Sequence, residues 1–204
     1  MTHELWWYAA RASGLVSWAL LSASMLWGLV LSTKLRPPRL RPNWTLDLHR
    51  YLGGLAVIFV GVHLAALVFD SYVGFGLAEL LVPFASHWKP VAVAWGVTGL
   101  YLLLAVELSS LARKRLPNRL WRRLHFLAFP LYVVATLHML TAGTDARTAL
   151  ALLAVAAAGV TIGALTAIRS QALRSGIMAP AAPRPPAPRP VSPRARLPKE
   201  GALR

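Results

Sequence analysis

The 204 residues contain no cysteine. That absence excludes disulfides, iron–sulfur clusters, thiolate metal sites and a covalently attached c-type haem. A redox metal in this chain would need other ligands, and histidine is the natural one. Acidic side chains are scarce as well: 7 Asp and Glu stand against 22 Lys and Arg, for a net charge of +15. Charge of either sign is only 14% of the chain, whereas hydrophobic residues are 56%. That balance excludes an ordinary soluble domain and points to the membrane class. A basic excess also suits nucleic-acid binding, but here the cations fall between apolar runs and in a tail, not on one soluble face, so no nucleic-acid partner is expected. Nor is there a strand, glycine loop and helix that could cradle a nucleotide phosphate, so electrons or energy must come from outside the chain.

What is present is a series of long apolar runs. Five reach the roughly 20 residues that a helix needs to cross a bilayer. They lie near Ala12–Ser32, Tyr51–Phe69, Pro90–Ser109, Leu120–Leu140 and Thr148–Ile168. Only helices satisfy their own backbone in lipid, so these runs predict an all-α bundle of five transmembrane helices. Lys34, Arg36, Arg39, Arg41, Arg50, Arg113, Lys114, Arg115, Arg119, Arg122 and Arg123 gather on one side of it, and eight further cations follow Ile168. Arg11, Lys89 and Arg147 fall on the other side, with Glu4, Asp70, Glu79 and Asp145. The positive-inside rule therefore predicts an outer N-terminus and a cytoplasmic C-terminus. Dense charge after the first apolar run, not before it, argues for a retained helix over a cleaved signal peptide.

The chain thus divides into an outer segment 1–11, a membrane domain 12–168 and a basic tail 169–204. From Ala179 the tail is proline-rich and without periodicity, which predicts disorder, either as a solvated tail without a task or held against anionic lipid. Phe75–Ser86, apolar but short, is expected to lie in the outer interface. Trp6, Trp7, Tyr8, Trp44, Trp88 and Trp121 read as aromatic belts.

Four of the six histidines are the candidate functional residues. His49 and His63 lie on the second span, 14 residues apart; His125 and His138 lie on the fourth, 13 apart. Both spans run from inside to outside, and His49 and His125 each stand beside arginines at the inner end. A rise of 1.5 Å per residue puts His63 and His138 about 20 Å further out. The pattern is two depth-matched pairs across two helices, which suits two b-type haems with an imidazole from each helix on each iron. Single membrane histidines are often packing groups, but four in matched pairs are hard to explain that way. The angles agree less well. At about 100° per residue His49 and His63 differ by some 40° around their helix, but His125 and His138 by some 140°. Pro130 lies between the latter two and is positioned to distort that helix.

The supporting residues are less specific. Gly53, one turn beyond His49, would admit either a flat macrocycle or a close helix neighbour. Arg50, Arg122 and Arg123 fit haem propionates, and equally topology and lipid contact. Phe59, Phe126 and Phe129 lie between the two depths, where they would line an electron path or simply pack. His3 and His87 stand outside the paired pattern.

His49-x13-His63 and His125-x12-His138, with the strings LHRYLGGLAVIFVGVHLAALVFDSYVGFG and RLWRRLHFLAFPLYVVATLHMLTAGTD, resemble the ferric reductase-like transmembrane domain, especially its short bacterial members. The likeness spans about Ala10 to Asp145. It implies that His49 and His125 hold an inner haem iron, that His63 and His138 hold an outer one, and that electrons cross the bacterial cell membrane to an acceptor at the outer face. The full-length oxidases and reductases of that superfamily carry a fused flavin and nicotinamide domain, which this sequence lacks. A separate donor, a flavoprotein reductase or a quinol, is then expected; the resemblance leaves room for a flavin that no motif marks. Two other readings stay open: a haem-binding membrane subunit that feeds a partner oxidoreductase, and a non-catalytic haem-binding or structural membrane protein.

Overall fold

The computed structural model describes residues 2–33, 42–70 and 74–175. The remaining residues, which include Lys34, Arg36, Arg39, Arg41 and the tail from Gly176, lie outside the described set, so the expectation of a disordered tail falls there too. The described residues form only helices and turns: α1 (Thr2–Thr33), α2 (Pro42–Phe69), α3 (Leu77–Leu81), α4 (Pro90–Leu111), α5 (Asn118–His125), α6 (Ala128–Ala142) and α7 (Ala149–Arg174). Five spans are long and apolar enough to cross a membrane, with Asn118–Ala142 counted as one. The protein is a multi-pass membrane protein.

Three boundaries lie well away from the sequence expectation, among them the start of α2, which is Pro42, nine residues before Tyr51. Helix α1 begins at Thr2, ten residues before the predicted span. Its 32 residues rise about 48 Å, more than the roughly 30 Å apolar core, so the segment carrying Trp6, Trp7 and Arg11 projects beyond it. At the other end α7 continues to Arg174, past the boundary drawn at Ile168. Hydropathy marks where lipid ends, whereas a helix stops only where its backbone finds another partner.

Helix α1 packs along α2, α4 packs along α6, and α7 lies against α1. Leu29, Tyr132 and Ile162 join α1, α6 and α7 in one buried cluster. Interhelical hydrogen bonds add ties: Trp18 Nε1 donates to Thr136 Oγ1 at 3.0 Å, and Trp27 Nε1 to the Thr45 carbonyl at 2.9 Å. The interfacial segment does more than lie on the surface. Phe75 and Leu80 are buried against Val93 and Val97, with Trp88 packed beside them, so α3 caps one end of the bundle.

The fourth span is broken. Its hydrogen bonds tighten to i→i−3 at Leu127→Leu124 and Phe129→Phe126, then return to i→i−4 at Leu131→Leu127. Pro130 has no N–H to give the Phe126 carbonyl, and its ring crowds that carbonyl, so the helix gives way one turn earlier. Each residue of 3₁₀ helix turns about 120° instead of about 100°. The break therefore recovers part of the 140° offset between His125 and His138.

Candidate functional site: two facing histidine pairs

The histidines meet as predicted from depth. His49 of α2 faces His125 of α5 with ring centroids 6.0 Å apart, and His63 of α2 faces His138 of α6 at 6.3 Å. The ring planes cross at 81° and 77°. Helices α2 and α4 scarcely touch, so the pairs stand in a gap between the α1–α2 hairpin and the α4–α5–α6 unit. His87 is exposed in a turn before α4 and joins neither pair; His3 lies in the first turn of α1, with its side chain outside the described set.

What holds each ring explains why the pairs face one another. His63 Nδ1 lies 2.7 Å from the Ala10 carbonyl, and His138 Nδ1 lies 2.8 Å from the Ala92 carbonyl. His49 Nδ1 lies 3.0 Å from the Ser24 carbonyl and 3.2 Å from its hydroxyl. A carbonyl only accepts, so Nδ1 carries the proton in these three rings. Nε2 keeps its lone pair, as a metal-ligating imidazole must. Glycines make the approach possible. A Cβ on Gly14 would stand 3.1 Å from the His63 ring, on Gly28 3.1 Å from His49, and on Gly96 2.7 Å from His138. Each glycine lies one turn after the carbonyl that its histidine uses.

His125 is held differently. Its Nδ1 lies 3.5 Å from Ser110 Oγ, and its ring stacks on Trp121 at 5.2 Å. The Arg113 guanidinium lies over the Trp121 ring, 4.3 Å from its centroid. Trp121 Nε1 is buried without a hydrogen-bond partner among the described residues. A buried N–H without a partner is costly. A ligand bearing an acceptor at its edge would relieve it.

A cavity of about 820 Å³ opens from the His63–His138 pair toward the end of the bundle that α3 caps. Trp7, Arg11, Lys89 and Asp145 stand along it. Arg11 makes a two-pronged ion pair with Asp145, which ties α1 to the loop before α7, and its guanidinium lies 4.0 Å over Trp7. Lys89 adopts left-handed backbone (φ 42°) directly before Pro90, and its ammonium donates to the Thr141 carbonyl at 3.3 Å. Trp7 and Trp88, which line the cavity, and Trp121, which stacks on His125, thus make contacts around the pairs.

The supporting residues sort out less as expected. Gly53 faces Glu107: a Cβ there would stand 2.9 Å from Glu107 Oε1. Arg50, Arg122 and Arg123 are exposed, with Arg50 3.6 Å from Asp47. Phe126 is exposed with Arg169 over its ring, and Phe129 packs against the α1–α6–α7 cluster. Gly14, Gly28, Gly96, Ser110 and Glu107 were not singled out from the sequence. A signal for the glycines exists there: Gly14 and Gly28 are 14 residues apart, the spacing of His49 and His63.

The pairs fit haem. Two imidazole nitrogens on opposite sides of a first-row metal ion stand about 4 Å apart, which sets their ring centroids at roughly 6 Å. Among the described residues no three His, Asp or Glu side chains gather to hold a metal. A metal between two imidazoles would then need its remaining donors from a ligand such as a porphyrin. No curated protein and no solved structure matches the chain. Residues 13–136 match the ferric reductase like transmembrane component, and this stretch holds three of the four histidines and most of the fourth span. With that match over more than half of its length, the chain belongs to the ferric reductase-like transmembrane family.

Proposed function

We propose that the protein carries electrons across the bacterial cell membrane through two b-type haems, His49 and His125 holding one iron and His63 and His138 the other. The observation that carries this is the pair of ring-to-ring spacings near 6 Å. Each haem, when bound, supplies a one-electron ferric/ferrous couple. The chain's own residues do the rest. Backbone carbonyls hold Nδ1–H and aim Nε2 into the gap. Two protein ligands per iron leave no open position, which favours electron transfer over oxygen binding.

The positive-inside rule supports placing the His49–His125 pair at the cytoplasmic side and the N-terminus outside. A separate flavoprotein or quinol then reduces the cytoplasmic side, and an acceptor is reduced at the cavity lined by Arg11 and Lys89. That acceptor is ferric iron or a partner oxidoreductase. The test is a reduced-minus-oxidised spectrum of the purified chain with a haem-to-protein ratio. Two low-spin b-type haems per chain are expected. A protein that folds and binds none would return the bundle to a structural role.

A further inference from the structure

The four histidine anchors are one device repeated four times, with one departure. On α1 the carbonyls of Ala10 and Ser24 hold His63 and His49, and Gly14 and Gly28 follow each by one turn. The two units are 14 residues apart. On α4 the Ala92 carbonyl holds His138, and Gly96 follows by one turn. Fourteen residues after Ala92 and Gly96 stand Val106 and Ser110. Here the carbonyl does not reach the ring. Ser110 Oγ donates to the Val106 carbonyl at 2.7 Å and lies 3.5 Å from His125 Nδ1. The hydroxyl occupies the place where the other units have no side chain. Its own proton is committed to Val106, so it can only accept from His125.

We propose that Ser110 is a positioning residue: it replaces the direct carbonyl anchor of His125 with a longer hydroxyl relay and leaves His125 the least electron-donating of the four imidazoles. The inference rests on the bis-histidine reading above. A hydrogen bond from the outer ring nitrogen raises the basicity of a metal-bound imidazole, and a stronger acceptor raises it more. A carbonyl at 2.7 to 3.0 Å is a better acceptor than a hydroxyl at 3.5 Å. A less basic ligand stabilises the ferric state less, so the iron at this pair is easier to reduce. That is the pair where the proposed donor delivers its electron. Glu107 and the Arg11–Lys89 cavity mouth are further polar features of the gap, but neither repeats across the sites, so neither has an internal control of this kind.

The experiment uses the full-length haem-loaded protein in a His63→Ala background, so that only the His49–His125 site titrates. Midpoint potential, low-spin spectrum and rate of haem loss to an apo-globin acceptor are measured for wild-type Ser110, Ser110→Gly, Ser110→Ala and Ser110→Thr. Glycine opens the path to the Val106 carbonyl and should lower the potential and slow haem loss. Alanine removes the acceptor and should raise the potential and speed haem loss by about 10-fold. Threonine keeps the hydroxyl and should match wild type, which separates a hydrogen-bond effect from general loosening. If the site binds haem and Gly and Ala move the potential in the same direction or not at all, the relay is wrong while the bis-histidine reading stands. If His63→Ala protein binds no haem although it folds, the reading itself fails and the relay with it.

Discussion

The two ends of the gap carry the same pair of rings in different settings. At the His63–His138 end both rings hang from backbone carbonyls, both press on glycines, and one cavity of about 820 Å³ leads out past Arg11 and Lys89. At the His49–His125 end one ring is held by Ser24 and Gly28, and the other by a serine hydroxyl and a tryptophan face. The first end is stiff and leads to a polar mouth. The second is looser and is surrounded by cations. The difference in anchors makes the His49–His125 iron the easier one to reduce, so in the proposed direction the step onward to the His63–His138 iron runs uphill and is driven by the donor and the acceptor.

The comparison breaks most completely when a ligand is removed. Replacing His63 or His138 by Ala should reduce the haem content from two to one and spare the spectrum of the other site, because each iron loses one of its two protein ligands. His49→Ala and His125→Ala should do the converse, and His87→Ala, whose side chain is exposed, should keep both haems. Stoichiometry by pyridine haemochrome checks this; loss of a haem from His87→Ala with two retained in His63→Ala would undo the pairing.

Glycine substitutions grade the stiffness. A Cβ at Gly96 would come within 2.7 to 3.1 Å of three His138 ring atoms, closer than the 3.1 Å approach at Gly14 or Gly28. Overpacking of this kind costs roughly 1–3 kcal/mol. Gly96→Ala should therefore lower haem occupancy at its own pair more than Gly14→Ala or Gly28→Ala lower theirs. Gly53→Ala, which meets Glu107 instead of a ring, should change haem occupancy least. Equal losses from all four would mean that the glycines serve helix contact alone.

Smaller still is the ion pair at the mouth. Arg11 and Asp145 are 26% and 38% exposed, so the pair contributes within about 0–1 kcal/mol. Arg11→Gln should lower the melting temperature by a few degrees at most and leave the His49–His125 spectrum unchanged. A shift at that far end would show that the two sites are not independent. Smallest of all, removal of Ala179–Arg204 should leave haem content as in the full chain, since a proline-rich basic sequence cannot contribute to an apolar core.

Much of this was legible in the sequence because lipid imposes strict rules. Span number follows from run length, and the depth of each histidine follows from the rise per residue, so His49 with His125 and His63 with His138 could be paired without coordinates. Pro130 announced a distortion, although not that the break would fall at Phe126–Leu127. What stayed hidden is lateral. Spans that are apolar on nearly every face do not reveal which neighbour each face meets. Whether Gly14 opposes His63 or another residue depends on the register of α1 against α2. The 14-residue echo between Gly14–Gly28 and His49–His63 was the available clue. Ser110 was harder, since a serine near the end of a membrane helix is ordinarily satisfied by a carbonyl one turn back, as this one also is.

The central claim is that electrons cross through both histidine pairs in series. The direct measurement reconstitutes the haem-loaded protein into sealed vesicles with a ferric chelate trapped inside and a membrane-impermeant reductant outside, and follows the internal reduction. Wild-type protein should reduce the trapped iron at a rate proportional to the protein incorporated, and His63→Ala and His125→Ala should each abolish it, because one remaining haem leaves most of the bilayer uncrossed. Reduction that persists undiminished in both variants would contradict the account.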